Sequence, residues 1–171
     1  MLDGKQFADQ LDEILTRAHA RAYALGRHRA GDLKPQGRDD LDLANVAMNG
    51  QAEFLAKFGD KIDDGGFNDE FGFVDLAQVA KRADFYLDRL RGSANEGFVL
   101  GSGDALFDWI TVGENCAGCN ALAKKSPHKA SKMTHFPGDG QTECQVRCDC
   151  ILRRRSDRRA GFARVDLTKT P

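Results

Sequence analysis

All five cysteines of this 171-residue chain lie between positions 116 and 150. They form a Cys116-x-x-Cys119 pair and, after 24 intervening residues, a Cys144-x-x-x-Cys148-x-Cys150 group. Two cysteines separated by two residues in a tight turn can both reach one ion at about 2.3 Å, and a second pair completes a closed tetrahedral site. The pattern therefore predicts a structural four-cysteine metal site, with zinc as the expected ion.

Seven side chains compete for the four places in this site. The preferred set is Cys116, Cys119, Cys144 and Cys148. A short strand from Cys148 to Leu152 would turn Cys150 to the opposite side, so Cys150 would be an exchangeable fifth ligand. His128 and His135 lie in the intervening loop, and His135 is the alternative third ligand. Both alternatives remain open from the sequence.

A closed metal site has no open coordination position, so the ion is expected to hold structure and not to activate water. The His-x-Glu element of zinc deaminases is missing upstream of Cys116. The sequence also lacks a P-loop, a dinucleotide-binding fingerprint and a Gly-x-Ser-x-Gly element. The acidic stretch 60–70 fails the calcium-loop pattern, because Ile62 and Phe71 fall on ligand positions. We expect a protein that is not an enzyme.

Charge is distributed unevenly along the chain. The totals are 25 Lys and Arg against 26 Asp and Glu, yet residues 151–171 hold seven basic and two acidic residues, which leaves a net −6 on the first 150. The basic end is expected to be a solvated terminal segment. Non-specific DNA contact is possible through five arginines: Arg153, Arg154, Arg155, Arg158 and Arg159.

The N-terminal half shows the three- and four-residue apolar spacing of amphipathic helices. Helices are predicted over residues 5–26, 40–58 and 74–91, with Asp3 as a cap and with Gly26 and Gly92 as stops. Residues 98–100 and 107–112 are aromatic and β-branched, which predicts a short β-hairpin. Trp109 is expected to pack in the core beneath the metal site.

The predicted fold is mainly α. A three-helix region (1–95) is followed by a β-hairpin with a small zinc-ribbon-like module of four cysteine ligands (96–152) and by a basic C-terminal tail (153–171). No stretch is apolar enough to span a membrane, and the polar N-terminus does not match a secretory signal. We therefore expect the protein to be made in a cytosol, where its thiols stay reduced.

The segment from Phe107 to Leu152 carries a further pattern. In order it contains Trp109-Ile-Thr, Glu114-Asn115-Cys116-x-x-Cys119, Ala121-Leu122-Ala123, Ser126-Pro127, and Pro137-Gly-Asp-Gly140-x-Thr142-x-Cys144-x-x-x-Cys148-x-Cys150-x-Leu152. This order resembles the C-terminal zinc segment of tailed-bacteriophage head morphogenesis proteins, the Mu-type minor head proteins. Asp149 stands where that family usually has Arg. By this resemblance, Cys116, Cys119, Cys144 and either Cys148 or Cys150 would bind the metal.

The resemblance implies a structural virion protein that acts in head assembly or at the portal and head–tail junction. Its partners would be portal, capsid or neck proteins and further copies of itself, and its location would be the virion after synthesis in the host cytoplasm. The alternative is a small zinc-stabilised nucleic-acid-binding protein that uses the arginines of the basic tail.

Overall fold

Two long helices dominate the fold, and they pack against each other. The structure is a computed structural model that describes residues 3–163. The helices are α1 (Gly4–Ala30), α2 (Arg38–Asn49), α3 (Ala52–Asp63), α4 (Leu76–Leu100) and α5 (Ala117–Lys124), and the strands are β1 (Leu106–Ile110), β2 (His128–Lys129) and β3 (Ile151–Arg154). The predicted class is confirmed: the protein is mainly helical, with a small sheet and a C-terminal cysteine cluster.

Helix α1 begins where the sequence predicts and ends later. Asp3 caps it by accepting a hydrogen bond from the backbone nitrogen of Gln6 at 2.7 Å. The predicted stop at Gly26 is wrong, because the helix continues to Ala30 and ends at Gly31, whose φ of 103° is left-handed. Gly26 instead lies where α1 crosses α4, and a Cβ atom there would overlap the carbonyl oxygen of Ala94. This glycine permits close helix packing and does not terminate the helix.

The second predicted helix, over residues 40–58, is two helices in the structure. The chain breaks at Gly50 and Gln51, between α2 and α3. The side chain of Gln51 turns inward at the break, and its Nε2 lies 3.2 Å from Nε2 of His19 on α1. A bidentate ion pair fixes α2 on α1, with Arg27 donating to both carboxylate oxygens of the buried Asp40 at 2.9 and 2.6 Å. The helical region therefore has four helices and not three.

Helix α4 contains the segment predicted as the first strand of a hairpin. Residues 98–100 are helical, so the hairpin prediction is wrong. Phe98 and Val99 are buried in the core shared with the sheet, and this burial outweighs their strand propensity. Gly92 also lies inside the helix, where it lets the backbone of Asp139 approach closely. Helix α4 thus passes through the predicted boundary between residues 95 and 96.

The sheet is antiparallel and has the order β2-β1-β3. Strand β1 confirms the predicted strand in its 107–110 part, and it pairs on one side with β2 and on the other with β3. Trp109 lies opposite Leu152 across the β1–β3 pair, and both are buried in one core with Phe107. The predicted core position of Trp109 is confirmed.

Strand β3 includes Arg153 and Arg154, which were predicted to lie in the solvated tail. Arg154 is only 9% exposed and donates to the carbonyl oxygen of Ala30 at 2.9 Å and to Oγ of Ser102 at 3.0 Å. The expectation of solvation is therefore wrong at this residue, because its guanidinium bonds the last carbonyl of α1. Residues 164–171 of the predicted tail lie outside the described residues. Among the helices of residues 3–163, none combines the length and the apolar character that a membrane span requires.

Candidate metal centre

Two loops bring the five cysteines together. Cys116 is the N-cap of α5, in an extended conformation, and its Sγ accepts from the backbone nitrogen of Cys119 at 3.4 Å. Cys144 and Cys148 flank a short 3₁₀ helix, and Cys150 precedes β3. The loops are joined by Glu143, whose carboxylate accepts from the backbone nitrogen of Gly118 at 2.7 Å, an interaction that lowers the pKa of Glu143.

The sulfur atoms of four cysteines form a connected cluster. The Sγ–Sγ distances are 3.2 Å between Cys116 and Cys144, 3.3 Å between Cys119 and Cys144, and 3.5 Å between Cys119 and Cys148. A tetrahedron of zinc–sulfur bonds of about 2.3 Å places its sulfurs about 3.8 Å apart, whereas a disulfide holds them at about 2.05 Å. All five thiols are free. The spacing therefore suits a shared ion and not a set of disulfides.

Two overlapping groups of cysteines are positioned to hold a metal ion. Cys116, Cys119 and Cys144 form one group, and Cys119, Cys148 and Cys150 form the other, each with its sulfurs within 4.8 Å of one another. Cys119 belongs to both groups and is the centre of the cluster. The prediction that Cys150 faces away from Cys148 is wrong: residues two apart on a strand point to the same side, and the sulfurs of Cys148 and Cys150 both lie within 4.8 Å of that of Cys119.

Burial and contacts between the thiols shift the pKa values of three of the cysteines. Cys119, Cys148 and Cys150 are at most 1% exposed. Burial, together with hydrogen bonds to neighbouring thiols, raises the pKa of Cys119. The contact with Cys150 and burial raise the pKa of Cys148, while the same contact lowers the pKa of Cys150. Closely packed thiolates need a compensating cation, and a divalent metal supplies that charge.

The structure does not bring the two candidate histidines to the sulfur atoms. Nε2 of His128 lies 2.7 Å from the carbonyl oxygen of Leu122. Nδ1 of His135 is buried without a hydrogen-bond partner, and neither histidine belongs to a ligand group found within residues 3–163. His135 as the third ligand is therefore not supported by the geometry.

Two residues of α4 that the sequence analysis missed attach this module to the helices. Arg91 donates to the carbonyl oxygens of Val146 and Cys148. Asn95 is fully buried, donates to the carbonyl oxygen of Pro137 at 2.9 Å and accepts from the backbone nitrogen of Phe162 at 2.7 Å. The sequence around Asn95, Arg-Gly-Ser-Ala-Asn-Glu-Gly, carries no signal of this burial, because the partners of Asn95 lie far away along the chain.

Comparisons of the chain with protein-family models, with curated proteins and with solved structures give no match. The resemblance to phage minor head proteins rests on the motifs between Phe107 and Leu152.

Proposed function

We propose that one zinc ion binds to Cys116, Cys119, Cys144 and Cys148 and has a structural role. The observation that carries this proposal is the group of Cys116, Cys119 and Cys144, whose sulfurs lie within 4.8 Å of one another, with the sulfur of Cys148 3.5 Å from that of Cys119. Cys148 is chosen over Cys150 because its sulfur is 3.5 Å from that of Cys119, whereas Cys150 donates to Oδ1 of Asn115 at 3.4 Å. Four thiolates fill a tetrahedral site and leave no position for a substrate.

The ion would cross-link two segments that the Glu143–Gly118 hydrogen bond and a shared core also hold together. One segment is α5, and the other is the loop that leads through the 3₁₀ helix into β3. Because Arg91 of α4 holds the carbonyl oxygens of the second segment, the cross-link also fixes α5 relative to the helices. Zinc binding free energy in such a module contributes directly to folding.

The test is the zinc content of the purified full chain by elemental mass spectrometry, with thiol titration before and after a strong chelator. We expect one zinc per chain, no rapidly reactive thiol before chelation, because the non-ligand Cys150 is buried, and all five thiols reactive after it. Cys148→Ser should lose zinc, whereas the matched control Cys150→Ser should keep it. Zinc-free wild-type protein would overturn the site, and the reverse result for the two variants would overturn the ligand set.

We further propose that the protein is a structural component of a tailed-bacteriophage particle, acting in head assembly or at the portal and head–tail junction. Support comes from the resemblance of residues 107–152 to minor head proteins and from a closed thiol cluster that suits structure and not catalysis. Quantitative mass spectrometry of particles from the host that carries the gene should find a fixed copy number. Particles that lack the protein, produced in normal yield after gene deletion, would refute this role.

The arginines of the basic segment bear on the nucleic-acid-binding alternative. Asp108 pairs with Arg153 at 3.8 Å and with Arg155 at 2.8 Å, and Asp157 pairs with Arg154 at 2.6 Å and with Arg159 at 3.3 Å. Internal partners reduce the charge available to phosphates, which favours the structural role. DNA affinity that falls steeply with salt and is lost in Arg155→Ser with Arg158→Ser would instead support the alternative.

A further inference from the structure

An ordered loop between α3 and α4 presents two aromatic rings to solvent. Phe71 and Phe73 are 75% and 72% exposed. Oδ1 of Asp69 accepts from the backbone nitrogens of both residues at 3.0 and 2.9 Å, and the backbone nitrogen of Asp69 donates to the carbonyl oxygen of Phe73 at 2.7 Å. Gly72 supplies the left-handed turn with a φ of 83°. The loop is built to hold the two rings outward, at the cost of exposing apolar area.

This loop is also acidic. Residues 60–75 contain six Asp or Glu and a single Lys. A partner for the loop therefore needs an apolar recess with a basic rim.

Such a recess lies on the outer face of the α1–α4 pair. It has a volume of about 680 Å³, and its apolar lining includes Ile14, Leu25 and Leu87, all substantially exposed. Its rim, the charged part of its lining, consists of Arg17, Arg21, Arg91 and Asp88, a net positive set in which Arg17 also pairs with Glu13. The recess is large enough for two phenyl rings, and its rim carries the charge opposite to that of the loop.

We propose that the Phe71–Phe73 loop of one copy docks into the α1–α4 recess of a second copy of this chain. The loop cannot reach the recess of its own chain, because Asp75 caps the start of α4 next to the loop and Leu87 lies eleven residues beyond Leu76, about 17 Å along the helix. The two surfaces differ, so the contact is heterologous and joins copies head to tail into a ring or a filament. The inference does not depend on zinc binding or on the virion role.

The competing occupant is the C-terminus of the same chain. Phe162 and Ala163 line the recess, and residues 164–171 follow them. This segment carries Val165 and Leu167, and its charged residues, Arg164, Asp166 and Lys169, leave it net basic, which matches the arginine rim poorly.

The experiment is sedimentation velocity of the full chain over a concentration series, with three variants. The loop variant is Phe71→Ser with Phe73→Ser, the recess variant is Ile14→Glu with Leu87→Glu, and the matched control is Leu33→Ser at another exposed apolar residue, 79% exposed. We expect wild type and control to associate with increasing concentration and both double variants to remain monomeric. An equimolar mixture of the two double variants should form a dimer and nothing larger, because only one intact loop and one intact recess remain.

The mixture also guards against misfolding, since a variant that does not fold cannot complement the other. A wild type that stays monomeric throughout would overturn the proposal, as would loop variants that associate like wild type. Association that appears only after residues 164–171 are deleted would show that the recess is filled by the chain's own C-terminus, which also overturns it.

Discussion

The imidazole Nδ1 of His19 on α1 lies 2.7 Å from the hydroxyl oxygen of Ser93 on α4. Both residues are buried, and Nε2 of the same ring lies 3.2 Å from the side-chain nitrogen of Gln51. Burial, with a smaller contribution from the nearby positive charge of Arg89, lowers the pKa of His19 from 6.5 to about 4. The ring is therefore neutral in the folded protein at pH 7 and connects three elements of the helical region through hydrogen bonds.

This pair makes stability depend on pH. Between pH 6.5 and about 4 the unfolded chain binds a proton on His19 that the folded chain excludes, so the free energy of unfolding falls as the pH falls. The full effect is on the order of 3 kcal/mol. His19→Gln keeps a side chain that can hydrogen-bond Ser93 but removes the titration. Urea unfolding from pH 7 to 4 should show a smaller decrease for His19→Gln than for wild type.

Two half-buried carboxyl groups act in the opposite direction. Burial raises the pKa of Glu96 and of Asp139, so the folded state holds their protons more tightly than the unfolded state. Their contribution to stability is lost as the pH rises through the folded pKa values. Because wild type and His19→Gln both contain Glu96 and Asp139, the contribution of these carboxyl groups cancels when the two pH profiles of unfolding free energy are subtracted. Equal pH dependence in the two proteins would contradict the assignment to His19.

Close helix packing gives a second prediction, tested at two glycines. A Cβ atom at Gly26 would overlap the carbonyl oxygen of Ala94, whereas one at Gly50 would lie 3.6 Å from the carbonyl oxygen of Ala47. Gly26→Ala must separate α1 from α4 and should destabilise the fold by about 2–3 kcal/mol. Gly50 has helical φ and ψ values that alanine also adopts. Gly50→Ala should therefore raise the free energy of unfolding by about 0.4–1 kcal/mol, because alanine reduces the conformational entropy of the unfolded chain. Chemical denaturation of both variants measures the difference, and equal effects would contradict the packing.

Two glycines inside helices, one of them Gly26, show why the sequence predicts the helical segments better than the ends of the helices. Gly26 and Gly92 have the character of helix stops, yet each occupies a point of close approach that only the tertiary structure defines. Phe98 and Val99 have strand propensity and lie in a helix because the core beneath the sheet covers them. The amphipathic spacing was sufficient to place the helical segments, since one buried face requires that spacing in any arrangement.

The cysteine cluster was predictable for a different reason. Ligand spacing is a local property, and the sulfurs of the two segments meet as the pattern predicts. The sequence did not predict that the sulfur of Cys150 lies beside those of Cys119 and Cys148, because the turn before β3 sets that position. The anchors Arg91 and Asn95 bond backbone groups more than 40 residues away, and no local pattern records such contacts.

The last prediction concerns two neighbouring arginines of the basic segment. Arg154 donates to the carbonyl oxygen of Ala30, to Ser102 and to both carboxylate oxygens of Asp157. The hydrogen bonds from Arg154 to the Asp157 carboxylate are the main cause that holds the pKa of Asp157 well below its usual range. Arg154→Met leaves a buried helix-end carbonyl without its donor, so we expect a loss of about 2–3 kcal/mol.

Arg158 is the matched control, because it is exposed and carries the same charge. Arg158→Met should change the free energy of unfolding by less than about 0.5 kcal/mol. Both variants lower the net charge equally, so a difference between them in denaturant unfolding reports the buried contacts and not electrostatics at long range. If the two variants unfolded at the same denaturant concentration, Arg154 would be no more than a member of a solvated basic tail, and the junction between β3 and the end of α1 would have to be held by other residues.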